Sequence, residues 1–184
     1  MLIKINVLGA LYVVNIRNPY EVCASYFKFM KSSLDRAIAS AKVVTKKLKF
    51  YGQMNHKKLL LIRYEDIISR PFNVLKSLNQ FLGLELNDFE INNIILKYSK
   101  ENVKKLIKET ELSIQSKIDK NLKFDPNDIV KISENNIRYF NQNTGFQSDH
   151  ISNQSSSNWK DLFNDYEIKK ITENLKNDVS FLGY

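Results

Sequence analysis

The run Val13-Val14-Asn15-Ile16-Arg17-Asn18-Pro19-Tyr20-Glu21-Val22-Cys23-Ala24-Ser25 decides the fold class. Its first residues close an apolar stretch from Leu8 to Ile16. A continuous apolar run that ends in a polar turn suits a parallel strand buried on both faces. Asn18-Pro19 then punctuates the chain. Proline fits the first turn of a helix, where its missing N–H costs nothing. Glu21 falls in that turn, on the favourable side of the helix dipole. The pattern predicts a helix from Pro19 to about Lys31. Arg17 therefore stands at the carboxyl end of a strand, where open α/β sheets bind their ligands. A guanidinium there can grip a phosphate through two parallel hydrogen bonds. Ser25 lies two turns into the helix and reaches the same phosphate if the helix runs along the ligand. Taken alone, such an arginine reads as a surface salt bridge.

Further along, a basic helix is predicted from Ser33 to about Lys49, and a second buried strand over Lys58–Arg63. Tyr64-Glu65-Asp66 follows directly, with the two carboxylates read as caps of the next segment. Pro71 opens another helix, with Val74, Leu75, Leu78, Phe81 and Leu82 at helical spacing and Gly83 as its C-cap. One longer amphipathic helix is expected from Asn87 to about Glu111. Asp125-Pro126 marks a turn, Ile129–Tyr139 is predicted as helix, and Asn141–Asn158 is a polar loop. A last helix runs from about Tyr166 to Phe181. Strand, helix, strand, helix is the order of an α/β protein with a parallel sheet. With 184 residues, a single domain spanning 1–184 is expected.

Composition narrows the classes further. Hydrophobic residues make up 43%, which excludes a disordered chain. Only 5 glycines and 3 prolines argue against an all-β sandwich with many tight turns. The net charge of +8 suits an anionic partner: nucleic acid, a membrane surface or a phosphorylated small molecule. The lysines are scattered, so the same charge also reads as a solvated surface. Cys23 is the single cysteine, so no intrachain disulfide can form and a reducing, cytoplasmic setting is expected. Its apolar surroundings make it a small buried hydrophobe. Lys4, Asn6 and Asn15 interrupt the apolar opening, which is too short to span a bilayer, so no membrane anchor is expected. Nothing suggests a metal site, and His56 and His150 read as solvated loop histidines.

Three motifs resemble the PAPS-dependent sulfotransferase family. The first is the opening string: a hydrophobic strand, Arg-Asn-Pro, an acidic residue two positions on, and a final Ser. The resemblance implies that Arg17 and Ser25 bind the 3′-phosphate of 3′-phosphoadenosine 5′-phosphosulfate (PAPS). The second is Leu59-Leu60-Leu61-Ile62-Arg63-Tyr64-Glu65-Asp66 with Pro71 and Phe81-Leu82-Gly83. It implies that Tyr64 lies against the adenine, where base stacking is worth about 1–3 kcal/mol. The third is Ser155-Ser156-Ser157-Asn158-Trp159-Lys160, similar to a late loop that closes over the 3′-phosphate. It offers Ser155 and Ser156 as phosphate contacts and Trp159 as a structural anchor. Serine stands at 157 where related members have glycine. The closing Phe181-Leu182-Gly183-Tyr184 is similar to the family's usual ending.

The family's fold is implied too: a P-loop NTPase-like parallel sheet flanked by helices. The chain departs from it at the front. None of Gly9, Gly52, Gly83, Gly145 and Gly183 precedes Ser, Thr or Lys, so the Lys-x-Gly-Thr/Ser-Thr/Ser loop that cradles the 5′-phosphosulfate is missing. The segment that carries the family's His or Glu base is also unmatched, which leaves the catalytic residues unknown. The expectation is a sheet incomplete at the N-terminus. A truncated product, a start assigned too far downstream, half of a split protein and a degenerate relative all fit. An oligomer or a complementing N-terminal chain would then cover the exposed strand edge. An intact member would transfer a sulfuryl group from PAPS to a hydroxyl or amine of a small-molecule or carbohydrate acceptor, leaving 3′-phosphoadenosine 5′-phosphate (PAP). The rival from another class is a non-catalytic, basic nucleic-acid-binding or interaction module. It accounts for the charge and leaves the three motifs unexplained, so no nucleic acid is expected.

Overall fold

The computed structural model describes residues 10–51, 56–133, 136–148 and 158–184. In chain order the elements are β1 (Tyr12–Ile16), α1 (Pro19–Met30), α2 (Leu34–Tyr51), a 3₁₀ turn (His56–Lys58), β2 (Leu59–Arg63), α3 (Tyr64–Ser69) and α4 (Pro71–Leu82). Then come α5 (Asp88–Lys97), α6 (Lys100–Asp119), a 3₁₀ turn (Pro126–Asp128), β3 (Ile129–Ser133), β4 (Asn136–Tyr139), a 3₁₀ turn (Trp159–Leu162) and α7 (Asp165–Phe181). They fall into two compact units, residues 1–86 with 157–184 and residues 87–156.

The first unit is the α/β part. β1 and β2 pair in parallel, with Tyr12 opposite Leu59 and Ile16 opposite Arg63. α1 starts where the sequence predicts, because Asn18 caps it. Its side chain accepts the Tyr20 N–H at 2.9 Å, and Pro19 follows as the first helical residue. Lys31, in the left-handed conformation at φ 48, ends it. α4 ends at Gly83, whose φ of 66 is open to glycine at little cost. α7 opens with a reciprocal capping box between Asn164 and Glu167.

The core of this unit lies among α1, α2, α7 and the Trp159 turn. Cys23, Ala37, Ile171 and Leu175 are fully buried, joined by Ala24, Ile38, Ala41 and Trp159. Small residues on α1 and α2 let those helices approach closely, and Ile171 and Leu175 fill the space from α7. The strands differ from the expectation of burial on both faces. Ile16, Leu59 and Ile62 are buried, but Val13 and Leu61 remain 45% and 47% exposed. Among the described residues the parallel sheet has two strands, too few for helices to roof completely.

The second unit corrects two expectations. The helix foreseen from Asn87 to about Glu111 is two helices, since Ser99 breaks it and caps α6, accepting the Asn102 N–H at 3.4 Å. Ile129–Tyr139, foreseen as helix, is an antiparallel hairpin pairing Ile129 with Tyr139 and irregular between Lys131 and Ser133. Its β-branched residues, Ile129, Val130, Ile132 and Ile137, favour strand. Hydrogen bonds tie it to α6, from Tyr139 Oη to Gln115 at 2.6 Å and from Asn141 to Thr110 at 3.2 Å. Ile91, Val103 and Ile114 are buried in this unit.

Burial pushes the Cys23 thiol up to about 11, so it stays protonated and shielded in the folded chain. An aromatic disulfide reagent at neutral pH should therefore modify Cys23 slowly in the native protein and rapidly in denaturant. Equal rates in both states would contradict the packing.

Candidate functional site

Arg17 follows the last residue of β1, at the carboxyl edge of the parallel pair. Two groups hold its guanidinium. The Glu21 carboxylate, one helical turn on, lies 3.4 Å from Nη2. The Tyr64 ring lies beneath it, 4.5 Å from Cζ to the ring centroid. The ion pair is half-exposed, with side-chain accessibilities of 31% and 29%, and longer than the 2.7–2.9 Å typical of charge-assisted bonds. An i,i+4 pair of this kind is worth about 0.3–0.5 kcal/mol. The cation–π contact adds about 0.5–1 kcal/mol. Arg17 is thus oriented by one long carboxylate contact and one aromatic ring.

Glu21 does more than pair with Arg17. Its other oxygen accepts the backbone N–H of Trp159 at 3.3 Å. The Trp159 ring stacks on Tyr20 at 4.9 Å and is buried, in keeping with its reading as an anchor. One carboxylate therefore ties the β1–α1 turn to the turn that opens at Trp159. Ser25 is exposed, four residues beyond Glu21 and hence on the same helix face. Arg17, just before the helix, reaches the Glu21 end of that face.

A second carboxylate braces the turn from the other side. Glu65 accepts the Asn18 N–H at 3.1 Å and the Tyr184 hydroxyl at 2.7 Å. Arg63 lies over the Tyr184 ring, 4.5 Å from its centroid, and donates to the Leu182 and Gly183 carbonyls at 3.1 and 3.3 Å. Burial, reinforced by the bond to Glu65 and its charge, pushes the Tyr184 phenol well above its ordinary value.

The structure brings Arg17 and Tyr64 together at one sheet edge, and Ser25 lies exposed two turns into α1. Ser155, Ser156 and His150 lie outside the described residues. The bracing by Glu21 and Glu65 was not legible beforehand. The sequence offers Glu21 as a dipole partner and Glu65 as a cap, and Glu65 instead reaches across 47 residues to Asn18. A groove of about 550 Å³ opens beside β2, lined in part by Leu60, Leu61, Asp66, Arg70, Val74 and Phe181. Arg17, Ser25 and Tyr64 are not in its lining, whereas Ile16 and Arg63, the last residues of the two strands, are. Among the described residues no three metal-ligating side chains come together, and no helix is long and apolar enough to cross a membrane.

A parallel strand pair flanked by helices, with an arginine in the turn at its carboxyl edge, defines an α/β protein. The sequence model of the sulfotransferase domain matches residues 8–180. The chain belongs to the sulfotransferase domain family, and its small parallel sheet flanked by helices matches that family's P-loop-like fold. Among solved structures it is similar to mouse sulfotransferase SULT7A1, determined in complex with PAP. The TM-score is 0.53 at 17% identity, over 91% of this chain and 59% of that one. At that identity the likeness shows the fold, and the chain spans less than two thirds of that structure's length. No curated protein matches the chain significantly.

Trp159 is the only tryptophan, so its emission reports on the Glu21 brace. Glu21→Ala should shift that emission to the red with little loss of helical circular dichroism. Unchanged emission would mean that Glu21 does not hold the Trp159 turn.

Proposed function

We propose that the edge site binds the 3′-phosphate and adenosine of PAPS or PAP, and that this site serves sulfuryl transfer. The observation that carries the reading is Arg17, held at the strand edge by Glu21 and Tyr64 with guanidinium donors left over among the described residues. The donor set fits a 3′-phosphorylated purine nucleoside. Arg17 supplies charge and paired hydrogen bonds, Ser25 a hydroxyl on the same helix face, and Tyr64 an aromatic surface for the base. Ser155 and Ser156, on the chain that leads to Trp159, complete the set of proposed phosphate contacts. The mouse relative was solved with PAP, which supports the same ligand chemistry here.

When bound, PAPS supplies the sulfuryl group, which passes to a hydroxyl or amine of a small-molecule or carbohydrate acceptor. This chain's own residues grip the nucleotide end. Arg17 offsets the charge of the 3′-phosphate, and Glu21 and Tyr64 keep its guanidinium from swinging into solvent. The loss of side-chain freedom on binding is correspondingly small. The 184 residues carry no Lys-x-Gly-Thr/Ser-Thr/Ser loop, so the sulfate end of the donor falls to groups that this sequence does not supply. A longer form of the protein or a complementing chain would provide them. The single, buried Cys23 suits a reducing compartment, and we place the protein in the cytoplasm.

Isothermal calorimetry with PAP tests the site. The wild-type chain should bind PAP, and Arg17→Ala should weaken binding by at least about tenfold, the loss of a charge-assisted contact. Ser25→Ala should weaken it less. A wild-type chain that gives no heat with PAP, or an Arg17→Ala chain that binds as well, would overturn the reading.

A further inference from the structure

Glu65 and Tyr184 lie next to the edge site, and no proposed ligand contact uses them. Their geometry is nonetheless specific. The two Glu65 oxygens divide between the Asn18 N–H at 3.1 Å and the Tyr184 hydroxyl at 2.7 Å. Asn18 is the residue after Arg17 and the cap of α1. Its N–H belongs to the peptide unit that Arg17 and Asn18 share, so a hold on that N–H fixes where the Arg17 side chain leaves the backbone. The carboxylate needs an anchor of its own, and Tyr184 provides one.

Tyr184 is held in turn. Arg63 lies over its ring and donates to the two carbonyls just before it. Gly183 takes a φ of 71, where an added Cβ would also meet Arg63 Nη2 at 3.2 Å. Only glycine fits this bend without strain. The chain of contacts runs from Arg63 at the end of β2, through Tyr184 and Glu65, to the peptide beside Arg17 at the end of β1. Its two hydrogen-bonded links, Tyr184 to Glu65 and Asn18 to Glu65, would each be broken by removing one polar atom.

We propose that Glu65, anchored by the Tyr184 hydroxyl, is the positioning residue of the 3′-phosphate site, setting Arg17 through the Asn18 amide. This rests on the reading of Arg17 as the phosphate ligand. Glu65 does not touch the nucleotide; being an anion, it would repel it. Its effect is therefore selective. Loosening the Arg17 peptide weakens ligands that carry a 3′-phosphate and leaves those that lack it unaffected.

The test compares PAP with adenosine 5′-phosphate, which lacks the 3′-phosphate, on the wild-type chain and on Tyr184→Phe, Glu65→Ala and Arg17→Ala. Tyr184→Phe keeps the ring over Arg63 and removes only the hydroxyl. We expect it to weaken PAP about fivefold, the loss of one hydrogen bond, with adenosine 5′-phosphate binding unchanged. Glu65→Ala should weaken PAP about tenfold or more and speed hydrogen exchange at the Asn18 amide in the ligand-free chain. A merely structural role would weaken both nucleotides together. If Arg17→Ala loses PAP while Tyr184→Phe and Glu65→Ala bind it like wild type, the positioning role is overturned and the phosphate site stands. If Arg17→Ala retains PAP, the site itself is wrong and the positioning role falls with it. Unchanged Asn18 exchange in Glu65→Ala would show that the brace does not hold the turn, whatever the nucleotides do.

Discussion

Two arginines end two paired strands. The register sets Ile16 opposite Arg63, so Arg17 and Arg63 leave the same edge of the sheet one position apart. Each guanidinium has a tyrosine ring beneath it, Tyr64 for Arg17 and Tyr184 for Arg63. Glu21 pairs with Arg17, and Glu65 holds both the Asn18 N–H and the Tyr184 hydroxyl. The local architecture of the first unit follows from this arrangement. α1 must start at Asn18 for Glu21 to reach Arg17, and the residues after α7 must bend at Gly183 for Tyr184 to reach Glu65.

The two cations are not equivalent. Arg63 donates through Nη2 to two backbone carbonyls and so supports a chain segment. Among the described residues Arg17 has a single long carboxylate contact at 3.4 Å and a ring beneath it. That difference separates a structural arginine from one available to a ligand, although both are strand-end arginines followed within four residues by an acidic side chain. The core behind them depends on the same turn. Cys23 and Ala24 enter the interior only because α1 is capped where it is, and Trp159 packs on Tyr20 because Glu21 holds its backbone.

Much of the first unit was legible in the sequence. Apolar runs ended by Arg-Asn-Pro and Arg-Tyr-Glu-Asp located both strands, and Pro19, Pro71 and Gly83 located helix ends to within a residue. These signals are local, set by backbone chemistry at one or two positions. The second unit was harder to read. Ser99 resembles any polar residue on a helix surface until its hydroxyl is seen to cap α6. Ile129–Tyr139 carries a β-branched pattern that a loose apolar periodicity can disguise as helix. The site was half legible. Motif resemblance picks out Arg17, Ser25 and Tyr64, but the contacts of Glu65 with Asn18 and Tyr184 join residues 47 and 119 positions apart. No spacing rule reports such contacts, and they belong to the fold rather than to any motif.

The central claim is that this edge recognises a phosphate on the ribose 3′-oxygen. Phosphorus NMR of PAP during titration with the chain addresses it directly, because the two phosphates of the ligand resolve as separate signals. The account predicts that the 3′-phosphate resonance moves or broadens first and furthest, while the 5′-phosphate follows weakly. A titration in which only the 5′-phosphate responds, or in which neither does, would contradict it.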